Sequence, residues 1–580
     1  MVQRYGVSHL DNAQIVEILL GMALAVEFLE DNPFKAKAYR KAAQSISELD
    51  IPVEALIDNG KISQVEGVGQ TIEAQLKAWV KDHDFSVLED LRAQIPPGLT
   101  EMWKVQGLGI KKLRMLSREL GISTLDELLV ALDLGRLSGV KGFSDKTIGK
   151  LKSSAQAVLQ YRGWYLLDVA WDWVRKVSSP LEEAGLRVEV TGVCRRMVET
   201  IDTVDLLVQD ANGVEDKIRQ CLGSISEMQV RHEGSIYIGK HPQGPTVKIT
   251  IAPESAFIPA LFVTTGSHGH VDQVKRIAAR HSIRIGMEGI VRDSRPIFIG
   301  EEVEVYRMLG LPYLPPEVRE GRNIETSRAM GDILPKLVSM DDLIGTIHIH
   351  TTYSDGKATL KDMVMGARER GHGWIGISDH SRSAYYAGGL NRKDLARQFK
   401  EIDCLIDAHG GITILKGIEA DILPDGSLDY PPEVLKQFDF VIASIHSHMD
   451  MDRASMTDRI IKALLNPYTS ILGHPTGRVL LTRQQYEVDM EAVLTVAAGN
   501  SVAVELNANP MRLDIDWRLI PGFVSMGGRI IIGPDAHAVA GLDDVIYGVA
   551  IARKGLLTRD ACLNTLDASC IKEVLTSRWK

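Results

Sequence analysis

The sequence holds only five cysteines among 580 residues (Cys194, Cys221, Cys404, Cys562 and Cys570), and no two form a CxxC pair. That scarcity excludes a disulfide scaffold and a thiolate zinc cluster, and it fits a reducing cytoplasm. A long apolar run is missing too: the longest, Ile15 to Leu29, is broken by Glu17 and Glu27. Nothing therefore reads as membrane-spanning, and no basic leader precedes that run to make it a secretory signal. Positive charge is not in excess, the formal net charge being −10. Any contact with DNA must then be local. Low-complexity sequence is absent. Hydrophobic residues at 45% and charged residues at 24% are ordinary globular usage, and a chain this long needs several cores.

What is present begins with helical periodicity. Ile15, Ile18, Leu19, Met22, Val26 and Leu29 mark one buried face, with Asp11 and Gln14 placed as a capping box. Helical patterns run to about residue 160, punctuated by glycine turns. From Arg187 the period shortens to that of strands, at Val188 and Val190, Leu206–Val208, Ile236–Ile238 and Val247–Ile251. Three prolines in 311–324 suggest a boundary, followed by a helical linker to about 340. Beyond Asp342, apolar strands at 344–349, 375–377, 412–418, 440–445, 502–506 and 530–532 alternate with helical segments. Such alternation predicts a parallel sheet, most simply a barrel with its functional residues at the carboxyl ends of the strands.

Three turns share a pattern: Val65-Glu66-Gly67-Val68-Gly69, Val105-Gln106-Gly107-Leu108-Gly109 and Val140-Lys141-Gly142-Phe143-Ser144. Each resembles a helix-hairpin-helix motif, in which glycines permit a tight turn and the next helix offers free backbone N–H groups to a phosphate. The bland alternative, a tight connection without a ligand, weakens with three copies. Lys111, Lys112, Arg114 and Arg118 follow the second turn, and Lys146, Lys150 and Lys152 the third. Their position favours backbone contact with DNA over a merely solvated face.

Residues 191–208, TGVCRRMVETIDTVDLLV, resemble the palm motif of family-X DNA polymerases. The likeness extends to NPFKAKAYRKAA (32–43), APESAF, TTGS (264–267) and LGLPYLPPEVREGR (309–322), and with the C-terminal part it resembles the bacterial PolX architecture. The departures are chemical. Two-metal nucleotidyl transfer needs three carboxylates, and by that resemblance their positions hold Thr203, Asp205 and Lys248. The serine that grips the incoming triphosphate is Val193, and Asp202 faces the wrong side of the strand. Arg195 and Arg196 remain, for phosphate or for surface ion pairs. Where some relatives place a Schiff-base lysine for lyase chemistry, Thr71 and Gln75 stand instead.

The densest chemistry follows residue 345. His348 and His350 share a strand face; Asp355, His380, Glu419, His446, His474, Asp535 and His537 come next, almost every one after a short apolar strand. One histidine there is ordinary, but six with three carboxylates are hard to explain as packing. Imidazole and carboxylate without thiolate suit Zn²⁺, Mn²⁺ or Fe²⁺. The pattern resembles the PHP (polymerase and histidinol phosphatase) domain. That resemblance implies three divalent metals, Mn²⁺ or Zn²⁺ ahead of Fe²⁺, and attack on phosphorus by a metal-bound water. One metal would take His348, His350, Glu419 and Asp535, the second Glu419, His446 and His474, the third Asp355, His380 and His537. His448 and Arg478 adjoin ligands and could bind phosphate or support the site, whereas His372 and His409 are expected at the surface.

The expected chain is multidomain: an all-α helix-hairpin-helix part (1–95), fingers-like helices (96–160), a degenerate α+β nucleotidyltransferase palm and thumb (161–325), a linker (326–340) and an α/β distorted barrel (341–575). The expected activity is hydrolysis at DNA 3′ ends, a 3′–5′ exonuclease or end-trimming nuclease on gapped or 3′-ended DNA without sequence preference. The polymerase half would serve to bind DNA. A small-molecule phosphoesterase of the histidinol-phosphatase kind, an active gap-filling polymerase and a non-catalytic DNA-binding module are the competing readings.

Overall fold

A computed structural model describes residues 12–579 apart from 30–31, 48, 50, 83–85, 97, 104, 106, 323–334 and 409–410. Asp11 and His409 thus lie outside the described residues. Two compact units are present, one from the described residues of Met1–Gly163 with Glu215–Arg231 and Gly239–Gly244, the other from Trp164–Val214, His232–Ile238 and Pro245–Lys580.

The first unit is helical as its periodicity requires. Ile15, Ile18, Leu19 and Met22 of helix Asn12–Leu29 pack with Tyr39 of Pro33–Ser47 and Leu76 and Trp79 further on. A second core gathers Leu113 and Leu116 of helix Ile110–Glu119 with Leu125 and Leu128 of Leu125–Asp133, whose start is held by a Thr124–Glu127 capping box. Gly67, Gly107 and Gly142 all take left-handed backbone (φ +85°, +82° and +93°), and a helix begins within three residues of each. Only Gly67 is also sterically forced, since a Cβ there would sit 2.7 Å from the Ala42 backbone nitrogen.

In the second unit β1 (Tyr165–Leu166) pairs with β3 (Thr200–Ile201). A five-stranded sheet runs β2 (Val188–Thr191), β4 (Thr203–Gln209), β7 (Thr246–Ala252), β6 (Ile236–Lys240), β5 (Gln229–Glu233), of which β2, β4 and β7 lie wholly in this unit. β4 and β7 are parallel, with Asp205 opposite Lys248. Helices Phe257–Thr265 and His268–Ala279 and the meander β8 (Ile283–Gly286), β9 (Gly289–Arg292), β10 (Arg295–Ile297) enclose a core around Phe262, Ile283 and Tyr306.

The barrel comprises β11 (Gly345–Ile349), β12 (Trp374–Ile377), β13 (Thr413–Asp421), β14 (Phe440–Ser444), β15 (Ile471–Leu472), β16 (Ala503–Asn507) and β17 (Ile530–Gly533), all parallel and in sequence order. A bridge from Ile349 to Ala536 brings the last strand beside the first. Burial on both faces explains the unbroken apolar runs. Gly417 makes room for the Phe440 ring, which a Cβ would approach to 2.1 Å. The chain is therefore multidomain, with a helical N-terminal part, an α+β middle and a nearly closed α/β barrel.

Three expectations need correction. β15, only two residues long, escapes a search for apolar runs, so the barrel has seven strands where six were expected. Of the expected helical linker, 326–334 lies outside the described residues, and 335–339 is not helical: Leu337 bridges Thr558 and packs with Val318 and Leu556, which holds the segment extended. His372 is buried at 8% exposure, wedged between helix Leu360–Glu369 and β12, and burial together with the Arg370 charge lowers its pKa.

Candidate metal centre

The barrel strands deliver their polar residues to one end. His348 and His350 leave β11, Glu419 lies near the end of β13, and His380, His446, His474, Asp535 and His537 follow β12, β14, β15 and β17. Asp355 comes from the loop after β11. All nine expected ligands converge in overlapping groups: His348, Glu419 and His474; His348, His350 and Asp535; His380, Glu419 and His446; and His350, Asp355, His380 and His537. These groups overlap, with His350 also beside Asp355 and His446 beside His380.

Glu419 is the hub. Its Oε1 lies 2.9 Å from His474 Nε2, 3.2 Å from His446 Nε2 and 3.3 Å from His348 Nε2; its Oε2 lies 2.9 Å from His380 Nδ1. Asp535 Oδ1 is 3.2 Å from His350 Nε2, and Asp355 Oδ1 is 3.4 Å from His537 Nε2. His348, His350 and Glu419 are buried, whereas Asp355 is exposed and His537 half-buried, so the open side is theirs. Three ligands hold left-handed backbone without being glycine, His348 (φ +64°), Asp535 (φ +52°) and His474 (φ +22°); such conformations persist where the surroundings over-determine them.

The surroundings do. Glu505 of β16 accepts from the His474 backbone N–H at 2.6 Å and meets His348 Nδ1. Asp421 Oδ1 lies 2.5 Å from His446 Nδ1. Asp379 accepts from the Thr351 N–H and hydroxyl (both 2.7 Å), the Ser354 hydroxyl (2.5 Å) and Gln398 (2.6 Å), tying the loop that carries Asp355 to the residue before His380. Asn507 donates to Asp535 at 3.1 Å, and Arg512 Nε stands 3.3 Å from the same oxygen. These five residues have no diagnostic spacing. Only Asp421 could have been found, lying two residues after Glu419 on the same strand face.

The electrostatics call for positive charge. Burial disfavours an ionised Glu419, yet His446, His380 and His348 outweigh it and hold its pKa well below the usual carboxylate range. Asp535 is held down in the same way, by His348, His350 and Arg512 against burial. Burial opposes protonation of His446 and His537, but Glu419 and Asp421 lift the first to about 10, and Asp355 and Asp535 the second to about 9. Burial prevails at His350 and His474, lowered to about 3 and about 4. Buried without hydrogen-bond partners are His348 Nε2, both His350 nitrogens, His380 Nδ1, His474 Nδ1 and Glu419 Oε2. Orphaned imidazole nitrogens around a low-pKa carboxylate fit divalent cations.

The other expected sites fare differently. Arg478 donates to the Arg512 and Leu513 carbonyls and so braces that loop; His448 is exposed and outside the ligand groups. Lys111, Lys146 and Lys150 are exposed beside their turns, whereas Lys112 folds back onto the Gly107 carbonyl at 3.1 Å. Arg114 and Arg118 bond to carbonyls at the end of helix Asn12–Leu29, and Lys152 pairs with Asp133 at 2.7 Å, so all three have partners within the fold. Gly69 and Gly109 sit directly before helices Gln70–Lys77 and Ile110–Glu119.

In the five-stranded sheet Lys248 Nζ lies 4.0 Å from Asp205 Oδ1. Burial raises the Asp205 pKa in spite of that lysine. Thr203 opens β4, and Val193 follows Gly192 in the turn at the end of β2. Arg195 donates to Thr265 Oγ1 (2.7 Å) and Glu302 (2.6 Å), and Arg196 to the Thr265 carbonyl (2.8 Å) and Glu320 (3.2 Å). Of the two readings for these arginines, the ion-pair reading is the one the geometry supports.

Comparison with known proteins follows the same division. Residues 10–85 match a helix-hairpin-helix domain, 99–157 a SAM-like helix-hairpin-helix tandem, 260–320 the DNA polymerase beta thumb and 346–509 the PHP domain, which stops short of Asp535 and His537. A probable phosphatase of Thermoanaerobacter sp. strain X514 is 29% identical over 36% of this chain and 91% of its own. The probable phosphatase YcdX of Escherichia coli is 28% identical over 33% and 78% respectively. The DNA polymerase/3′-5′ exonuclease PolX of Bacillus subtilis is 32% identical over 97% of this chain and 98% of its own. A likeness at this identity that runs nearly end to end in both chains makes this chain a member of the PolX family.

Proposed function

We propose that the barrel hydrolyses phosphodiesters at DNA 3′ ends as a 3′–5′ exonuclease or end-trimming nuclease, and that the polymerase-derived region binds DNA without templated synthesis. The observation that carries this reading is the convergence of nine ligand groups with orphaned nitrogens around Glu419. The names of the Bacillus and phosphatase relatives agree with hydrolysis of phosphate esters.

Divalent ions held by these residues would supply an acidified water and charge neutralisation at phosphoryl oxygens. The chain's own part is positional. Glu419 sits between the ligand groups, Glu505 and Asp421 fix the rings of His348 and His446, and Asp379 fixes the loop of Asp355. Arg512 adds a fixed positive charge beside Asp535. Asp355 and His537, on the open side, leave an approach for a phosphodiester.

The palm argues the reverse. Asp205 contributes −1 and Lys248 +1, so nothing remains to hold two cations, and no hydroxyl stands at Val193 to grip a triphosphate. The three exposed lysines beside the glycine turns favour backbone contact with DNA, weakening steeply with salt.

One assay separates the readings. Mn²⁺-supplemented protein is given 3′-labelled gapped DNA, with and without dNTPs, and histidinol phosphate in parallel. Release of the 3′ label on a mononucleotide, with no extension of the labelled strand, is expected. Faster turnover of histidinol phosphate than of DNA ends would favour the small-molecule phosphoesterase, and template-directed extension the active polymerase.

A further inference from the structure

The loop between β12 and helix Arg392–Ala408 exposes two adjacent tyrosines, Tyr385 at 88% and Tyr386 at 70%. It is no loose excursion. Ser381 N–H donates to the Glu419 carbonyl (2.9 Å), Leu390 N–H to the His380 carbonyl (2.9 Å), and Gly389 N–H to the Ala384 carbonyl (3.1 Å). Ser383 Oγ bonds both Asp421 and Asp429 at 2.8 Å. A Cβ at Gly389 would fall 1.9 Å from the Ser381 carbonyl oxygen, so the turn closes on itself as tightly as a backbone can. A braced loop holding a bare aromatic ring is built for a contact that is not within the chain, because a ring of this size is worth burying.

Its place identifies that contact. The Tyr386 ring centroid lies 6.1 Å from His380 and 6.3 Å from His446, inclined at 61° and 69°. The side chain thus stands at the rim of the ligand cluster, between the rings of His380 and His446 and the solvent. A nucleotide carries its base one sugar away from its phosphate. A phosphodiester seated at the ligands therefore brings the neighbouring base over this ring.

We infer that Tyr386 is the stacking platform for the 3′-terminal nucleobase, a positioning residue that selects nucleotide over simple phosphate esters. The inference rests on the exonuclease reading and deepens it. Stacking needs only a π-face, so it tolerates all four bases and agrees with digestion that ignores sequence.

The test is a ratio. Full-length Mn²⁺-loaded protein is given single-stranded DNA ending in a normal nucleotide or in a tetrahydrofuran residue that lacks the base. The unmodified protein should remove the normal end about tenfold faster in kcat/KM. In Tyr386→Ala the two rates should converge, through loss at the normal end alone, while Tyr386→Phe and Tyr386→Trp keep the preference. A merely structural role would lower both rates together and leave the ratio. A preference that persists in Tyr386→Ala, or that is missing from the unmodified protein, overturns the platform and leaves the nuclease standing. Removal of neither end overturns both.

Discussion

In the five-stranded sheet Asp205 faces a lysine across a parallel strand pair, whereas in the barrel Glu419 faces five imidazoles at 2.9–3.7 Å. Both carboxylates stand on parallel sheets, and both are largely withdrawn from water. The difference is in what supplies the compensating charge. Lys248, 4.0 Å away, brings an ammonium where a metal site would need another ligand, and it only partly offsets the burial of Asp205. Imidazoles answer Glu419 only while protonated; once neutral they present nitrogen lone pairs and the carboxylate needs cations again. Strand placement makes a site possible, and the partner chemistry decides whether it calls for metal.

The comparison breaks most sharply at its hub. Glu419→Ala should cut hydrolysis of 3′ ends on the order of 10³-fold, about 4 kcal/mol of barrier, while fluorescence anisotropy shows DNA affinity unchanged. A folded variant with full nuclease activity would end the assignment. The converse change tests the sheet. Thr203→Asp alone should yield no dNTP incorporation, because Lys248 still opposes a cation by about 1–4 kcal/mol at this separation. The triple variant Thr203→Asp, Lys248→Asp, Val193→Ser should gain metal-dependent extension on a primed template. Extension by the single variant would show that the lysine is no obstacle.

A milder substitution probes the ring supports. Glu505→Gln keeps the shape but weakens the hold on His348, and metal affinity by calorimetry should fall about 10–100-fold; an unchanged affinity would make Glu505 a packing residue. The smallest effect is expected where the two regions meet. Burial, with Asp168 and Asp543 nearby, lifts Asp544 to about 7. An acid whose folded pKa is raised favours the folded state at low pH and loses that advantage as pH climbs from about 4 to about 7. Asp544→Asn should remove this slope. Discounted for partial exposure to about 1 kcal/mol, the gain is about 2 °C in melting temperature at pH 8, with none at pH 4. A gain at both values would point to packing instead.

How much of this was readable beforehand follows from the physics of each residue. The nine candidate ligands were legible because imidazoles and carboxylates at strand ends are costly to keep there without purpose. The expected strands were legible because doubly buried strands are continuously apolar. Glu505, Asp379 and Arg512 were not, since a charged group that orients a histidine, a loop or a carboxylate acts through space and leaves no spacing in the chain. β15 was too short to show a period, and Arg114 and Arg118, although placed like phosphate ligands, answer to a helix end 86 to 90 residues away. Tyr386 looked like any other aromatic until the fold brought it beside His380.

Glu320 accepts from Arg196 of the palm turn and from Lys554 of the barrel, a lysine 3% exposed, while Glu317 holds Arg553 at 3.0 Å. One carboxylate thus settles accounts for both halves. Cutting the chain between them would hand the Lys554 ammonium to water on one fragment and leave Glu320 with Arg196 alone on the other, so the junction loses an ion pair that neither half can replace by itself.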